Sequence, residues 1–191
     1  MKIKNTKELR LRASAHARLD HIAQETYGEV TKNGKVEFKG CAVGCLSTPH
    51  RKDDFLRFVD EHTTTGWDLY GGGRTSGDDL IWTLDDKDQR DLLRKEFGMT
   101  LPLVVLAEGL FEAQPTHGAA IEFVKRFAHS LREGVDITPR ACDRFAEDVL
   151  ELRGSYTWED VLYGVEGDGE DATESFFRFC ETGSVREAVA S

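Results

Sequence analysis

The sequence predicts a mainly α-helical single domain carrying one or two small β-hairpins. Four prolines in 191 residues leave room for long helices. Several segments repeat apolar residues at helical spacing between a Ser, Thr, Asp or Asn start and a Gly stop. One short stretch, around Asn33-Gly34, has the alternation and turn chemistry of a hairpin. At 39% apolar residues, a chain of this length can bury one core.

Taken in order, Asn5 is placed to cap a first helix, with Glu8 completing a capping box, running to about Tyr27 and stopped by Gly28. Leu9, Ala13, His16, Asp20, Ala23 and Tyr27 fall on one side of it, and Leu11, Ala15, Leu19 and Ile22 on another. Arg10, Arg12 and Arg18 lie largely between or outside these sides. Residues 29–32 and 35–38 flank Asn33-Gly34 as the hairpin. A second helix is expected from Thr48-Pro49, carrying Phe55, Leu56, Phe58 and Val59 and ending by Gly66. Residues 71–77 read as a Gly-rich loop, with Leu80–Leu84 a short strand paired to 67–70.

Asp85 or Asp86 then opens a helix stopped by Gly98, and Thr100 opens a strongly apolar, central one to about Ala113. Thr116 starts a helix to Glu133 with Ile121, Val124, Phe127 and Leu131 inward, and Thr138-Pro139 starts one with Cys142, Phe145 and Val149 at core spacing. The stretch from Gly164 to Thr173 reads as a solvated acidic loop. Phe176, Phe177, Phe179 and Cys180 follow in an aromatic helix, and Ser184 with Glu187 marks a last turn. The domain organisation is a helical core over 1–155 with an insertion near 50–88, followed by an acidic loop and a packing C-terminal helix over 156–191.

The charge balance, 25 basic against 35 acidic residues, is a formal net −10. Such a chain is repelled by nucleic-acid phosphates and by anionic membranes, so general nucleic-acid binding is disfavoured and a partner with a basic surface is favoured. The start carries no apolar leader and no segment approaches a membrane span, so a cytoplasmic protein is expected. The four cysteines are then thiols or metal ligands. No motif asks for a cofactor.

The most distinctive stretch is Lys39-Gly40-Cys41-Ala42-Val43-Gly44-Cys45, two thiols among residues small enough to let another group approach. Together with His16, Asp20 and Tyr27-Gly28 before it, and Phe97-Gly98, Pro102, residues 106–112 and Gly134-Val135-Asp136 after it, this resembles a family of uncharacterised bacterial and viral proteins. The resemblance covers roughly residues 10 to 140. It implies a shared fold and no reaction.

Three readings of the motif stay open. In the first, Cys41 is a nucleophile, His16 its base, and Asp20, four residues on, orients the imidazole. Tyr27, Cys45, Glu108 and Glu112 are then candidate binding residues around it, although Glu108 and Glu112 also suit a solvent stripe. In the second, Cys41, Cys45, His16 and His50 hold a structural zinc. In the third the cysteines are core packing. The competing function class is a non-catalytic acidic interaction or inhibitor protein that occupies a basic surface of another protein.

Overall fold

A computed structural model of the chain describes residues 2–24, 29–32, 36–65, 80–84, 86–165 and 169–189. The architecture is mainly α, as the periodicity predicts. The elements are α1 (Thr6–Arg18), β1 (Glu29–Lys32), β2 (Val36–Lys39), α2 (Ala42–Ser47), α3 (Lys52–His62), β3 (Thr63–Thr65), β4 (Leu80–Leu84), α4 (Asp86–Phe97), α5 (Leu101–Glu112), α6 (His117–Ser130), α7 (Pro139–Val149), α8 (Trp158–Gly164), α9 (Gly169–Thr182) and α10 (Val185–Ala188).

The strands form one antiparallel sheet in the order β2-β1-β4-β3. The expected hairpin is there, but its second strand is Val36–Lys39 rather than 35–38, with Lys32 opposite Val36 and Val30 opposite Phe38; its Asn33-Gly34 turn lies outside the described residues. β4 pairs with β1 on one edge and, over Trp82–Leu84, with β3 on the other; its expected partner 67–70 lies outside the described residues, as does the Gly-rich segment 71–77.

Helix α5 is the centre, with Leu103 to Phe111 buried. α2, α6, α7 and α8 pack on it, and α9 packs on α6 and α7. Gly109 makes the α5–α8 contact possible. A Cβ there would stand 2.5 Å from the Trp158 carbonyl oxygen and from the Val161 Cβ, so only glycine lets the two backbones come this close. Between α6, α7 and α9 lies an aromatic core. Phe123 stacks against Phe127 and Phe176 with centroids 6.2 and 6.3 Å apart, and Phe145 stacks on Phe179 at 5.1 Å. Among the described residues, no helix is long and apolar enough to cross a membrane.

Local signals account for several helix boundaries. Thr116 and Thr138 accept from Ala119 N–H and Ala141 N–H as N-caps, and Gly98 ends α4 at φ +73°. Thr157 and Asp160 make a reciprocal capping box on α8.

The first helix departs from its prediction at both ends. Asn5 sits at φ 54° and makes no side-chain cap; its amide donates to the Glu96 carbonyl at 2.9 Å. At the other end α1 stops at Arg18, and Asp20 takes φ 54°. Tertiary bonds outweigh the helical pattern there. Gly40 N–H donates to the His21 carbonyl at 2.8 Å, Ala23 N–H donates to the Gly40 carbonyl at 2.9 Å, and Ile22 bridges Gly40. The segment after Arg18 is needed extended, beside the start of the cysteine motif. The second predicted helix also starts later, at Lys52, because Thr48 is spent ending α2: its N–H and hydroxyl both donate to the Gly44 carbonyl.

Candidate functional sites

The cysteine motif folds as a short buried helix. Cys41 is the N-cap of α2, accepting from Gly44 N–H at 3.5 Å, and all six helix residues are buried. α2 lies between α1, α4 and α5, so the first helix does pack on the motif. The contact is made by Arg12, which donates to the carbonyls of Leu46 and Ser47, both at 3.1 Å, and by His16 at the Thr48 carbonyl.

The predicted relay of Cys41, His16 and Asp20 is not what these side chains form. His16 is 1% exposed and has both ring nitrogens engaged, Nε2 with the Thr48 carbonyl at 3.1 Å and Nδ1 with His21 Nδ1 at 3.0 Å. A carbonyl only accepts, so Nε2 carries the proton and Nδ1 is the acceptor. His21 must then donate through Nδ1–H. Burial pushes the His16 pKa down to about 4, and burial also lowers that of His21. Asp20 lies beyond the helix and is exposed. It pairs with Lys39 at 3.0 Å and His117 at 3.1 Å, which hold its carboxyl below the usual range, Lys39 contributing most. The i, i+4 spacing that would have joined it to His16 requires a helix that ends two residues earlier.

Cys41 and Cys45 are fully buried. Burial raises both thiol pKa values, and for Cys41 the Glu108 carboxylate adds to it; the N-cap bond from Gly44 opposes this and loses. Cys45 donates to the Gly40 carbonyl at 3.2 Å. Cys142, which contacts Thr100, is pushed up to about 12, and Cys180 is raised as well, both mainly by burial. A thiolate nucleophile needs the opposite environment. We therefore expect a short pulse of iodoacetamide near neutral pH to leave all four cysteines of the native protein unlabelled and to label all four in denaturant. Selective labelling of Cys41 in the native protein, read by mass spectrometry, would restore the nucleophile reading.

The zinc set does not converge: among the described residues, no group of three or more His, Cys, Asp or Glu side chains is placed to hold a metal. His50 instead sits with its Nδ1 3.4 Å from Glu8. Glu108 is no solvent-stripe residue either. It is 1% exposed and paired with Arg90 at 3.0 Å. Tyr27 lies outside the described residues.

Glu112, the last of the predicted binding residues, leads to a feature that sequence reasoning missed. A cavity of about 670 Å³ opens between the C-terminal end of α5 and helices α6, α8 and α9. Its apolar lining includes Phe123, Leu162, Val165 and Phe177, and its charged lining is Glu112, Glu122, Arg126 and Glu174. Carboxylates outnumber guanidinium three to one in this lining, but Glu122 is also paired with Lys125 at 2.8 Å and Arg178 acts on Glu174, so both signs of charge meet at the groove. Arg126 makes a two-pronged bond to Glu174, at 2.5 and 2.8 Å, and its guanidinium carbon lies 4.5 Å over the Phe177 ring. Gln24 secures the α5 end by donating to the carbonyls of Phe111, Glu112 and Gln114. The only sequence signal was the i, i+3 pair Glu174–Phe177, and nothing local joins it to Arg126, forty-eight positions earlier.

No protein-family model matches the chain, and neither a curated protein nor a solved structure matches it.

Proposed function

We propose that this protein is a non-catalytic interaction protein whose α5–α6–α8–α9 groove receives a basic segment of a protein partner. The observation that carries the reading is the groove's aromatic and aliphatic floor beside the carboxylates Glu112, Glu122 and Glu174, the last two held by the exposed cations Lys125 and Arg126, which a basic guest can replace. Its volume suits a few side chains. Apolar walls supply affinity, and the carboxylates supply attraction and orientation for cationic groups. The net charge of −10 extends the same field over the whole molecule. The thiol reading has no comparable support, because the cysteines are buried with raised pKa values and the histidine and aspartate are engaged elsewhere. Of the acidic stretch after Gly164, residues 166–168 lie outside the described residues, so the rim alone carries the argument.

The test is a nuclear magnetic resonance titration of the isotope-labelled chain with a ten-residue peptide alternating arginine and leucine. A peptide with glutamate in place of arginine is the control. Shifts confined to residues around Ala119, Phe123, Leu162 and Phe177, and an affinity that falls as salt rises, are the expected result. Glu112→Gln combined with Glu122→Gln should weaken binding by roughly tenfold, since rim charges act mainly on encounter and orientation. Equal binding of the two peptides, or shifts elsewhere on the surface, would remove the groove from consideration.

A further inference from the structure

Within the groove, one cationic group already sits where a guest's cation would go. The Arg126 guanidinium forks onto both oxygens of Glu174 and lies over the face of Phe177. A carboxylate in the plane of the fork and an aromatic face beneath it are the two surfaces a guanidinium fits best. A lysine ammonium, a point charge without a plane, is attracted by both but can neither fork onto the carboxylate nor stack flat on the ring. The pair is also easily exchanged. The Arg126 and Glu174 side chains are 44% and 43% exposed, so water takes up either group when they separate. Phe177, by contrast, is 5% exposed and held among Phe123 and Phe176, so the aromatic half of the cage stays in place when Arg126 leaves.

We infer that Glu174 and Phe177 form an arginine subsite of the groove, filled in the free protein by the chain's own Arg126, and that a basic partner enters by presenting an arginine that takes Arg126's place. This rests on the reading of the groove as a docking site for a basic segment. Arg126 is then an internal competitor. It sets a preference for arginine over lysine in the partner and weakens binding by the fraction of time it holds the cage. Displaced, it swings toward solvent on the side of Glu122, one turn before it on α6, whose carboxylate Lys125 already holds at 2.8 Å.

The probes are methylguanidinium chloride and two ten-residue peptides, one alternating arginine with leucine and one alternating lysine with leucine. Each is titrated into the parent, Arg126→Ala and Arg126→Met, with thermal melts showing that the variants fold. Two substitutions are used so that a packing defect in one does not decide the outcome. Methylguanidinium should shift the Phe177 ring signals in both variants and barely move them in the parent. The arginine peptide should bind the variants about three- to tenfold more tightly than the parent, the competition of a surface ion pair and a cation–π contact having been removed. The lysine peptide should gain less.

Unmoved Phe177 signals in both folded variants, or equal gains for the two peptides, would overturn the subsite. The two readings can fail separately. If methylguanidinium fills the cage of the variants but no peptide binds any of the three proteins, the subsite stands and the docking function falls. If the peptides bind the groove of the parent and variants without an arginine preference, the docking function stands and the subsite falls.

Discussion

Arg12→Met is expected to lose roughly 3–5 kcal/mol of stability, the range for removing one partner of a buried charge network. Arg12 is 5% exposed and joins three helices. It donates to Glu96 at 2.6 Å on α4, to Glu8 at 3.2 Å on α1, and to the Leu46 and Ser47 carbonyls at the end of α2, while lying 5.0 Å over the Phe97 ring. The partners differ in what they lose. The two carboxylates are each 33% exposed and recover water when the guanidinium goes. The two carbonyls belong to the last turn of a helix, where among the described residues no backbone donor replaces Arg12, and each buried acceptor left unmet costs about 1–3 kcal/mol. Methionine refills the volume of the stem, so the loss reports the hydrogen bonds rather than a cavity. Urea unfolding followed by circular dichroism measures it as a lower midpoint at unchanged slope. Arg12→Lys should recover less than half, because one ammonium cannot serve four acceptors in a fork. A loss below about 1 kcal/mol in Arg12→Met would mean the carbonyls find other donors.

Arg12 also marks the limit of the sequence reading. A charged residue beside an apolar stripe is placed toward solvent by periodicity, and periodicity does not see that α2 ends in two carbonyls facing it. The readable parts were those set by neighbours along the chain. Gly98, Thr116 and Thr138-Pro139 mark helix ends that hold, and the apolar density of 101–112 identifies the central helix. Parts set by distant partners were not readable. Gly40 takes residues 21–23 out of the first helix and carries Asp20 away from His16. The pairing of β4 with Thr63–Thr65 joins residues that are not neighbours in sequence, and three threonines after a helix are too short a pattern to mark a strand. The groove draws its lining from residues 112–126, 162–165 and 173–177, so no single stretch of sequence announces it. The small residues of the cysteine motif were correctly read as permitting close approach. What approaches is the rest of the core.

Lowering the pH from 6.5 to 4 is expected to remove about 3 kcal/mol of stability through His16 alone. In the unfolded chain its pKa is near the ordinary 6.5; in the fold it is about 4. The difference of about 2.5 units is worth about 1.36 kcal/mol each. Above pH 6.5 the ring is neutral in both states and contributes no pH dependence. Between 6.5 and 4 the unfolded chain binds the proton and the fold does not, so stability falls as pH falls. Below 4 both states are protonated and the effect is complete. The physical cause is burial first, opposed by the bond to the Thr48 carbonyl and reinforced by His21, Arg12 and His50. Protonation at Nδ1 also turns the acceptor of the His21 bond into a second donor facing Nδ1–H. His21, lowered in the same direction, adds to the loss with the same sign. His16→Gln isolates the group, because its amide can still donate to the Thr48 carbonyl but cannot take a proton. The carboxylates with lowered pKa, Asp20, Asp160 and Glu174, titrate alike in parent and variant and cancel in the difference. Urea unfolding at several pH values between 7 and 4 should show the parent losing more stability than His16→Gln by about 3 kcal/mol over that window. Parallel curves for the two proteins would mean that the His16 ring opens to water before it titrates, and that the His16–His21 pair is not held closed by the packing of Phe38 against both rings.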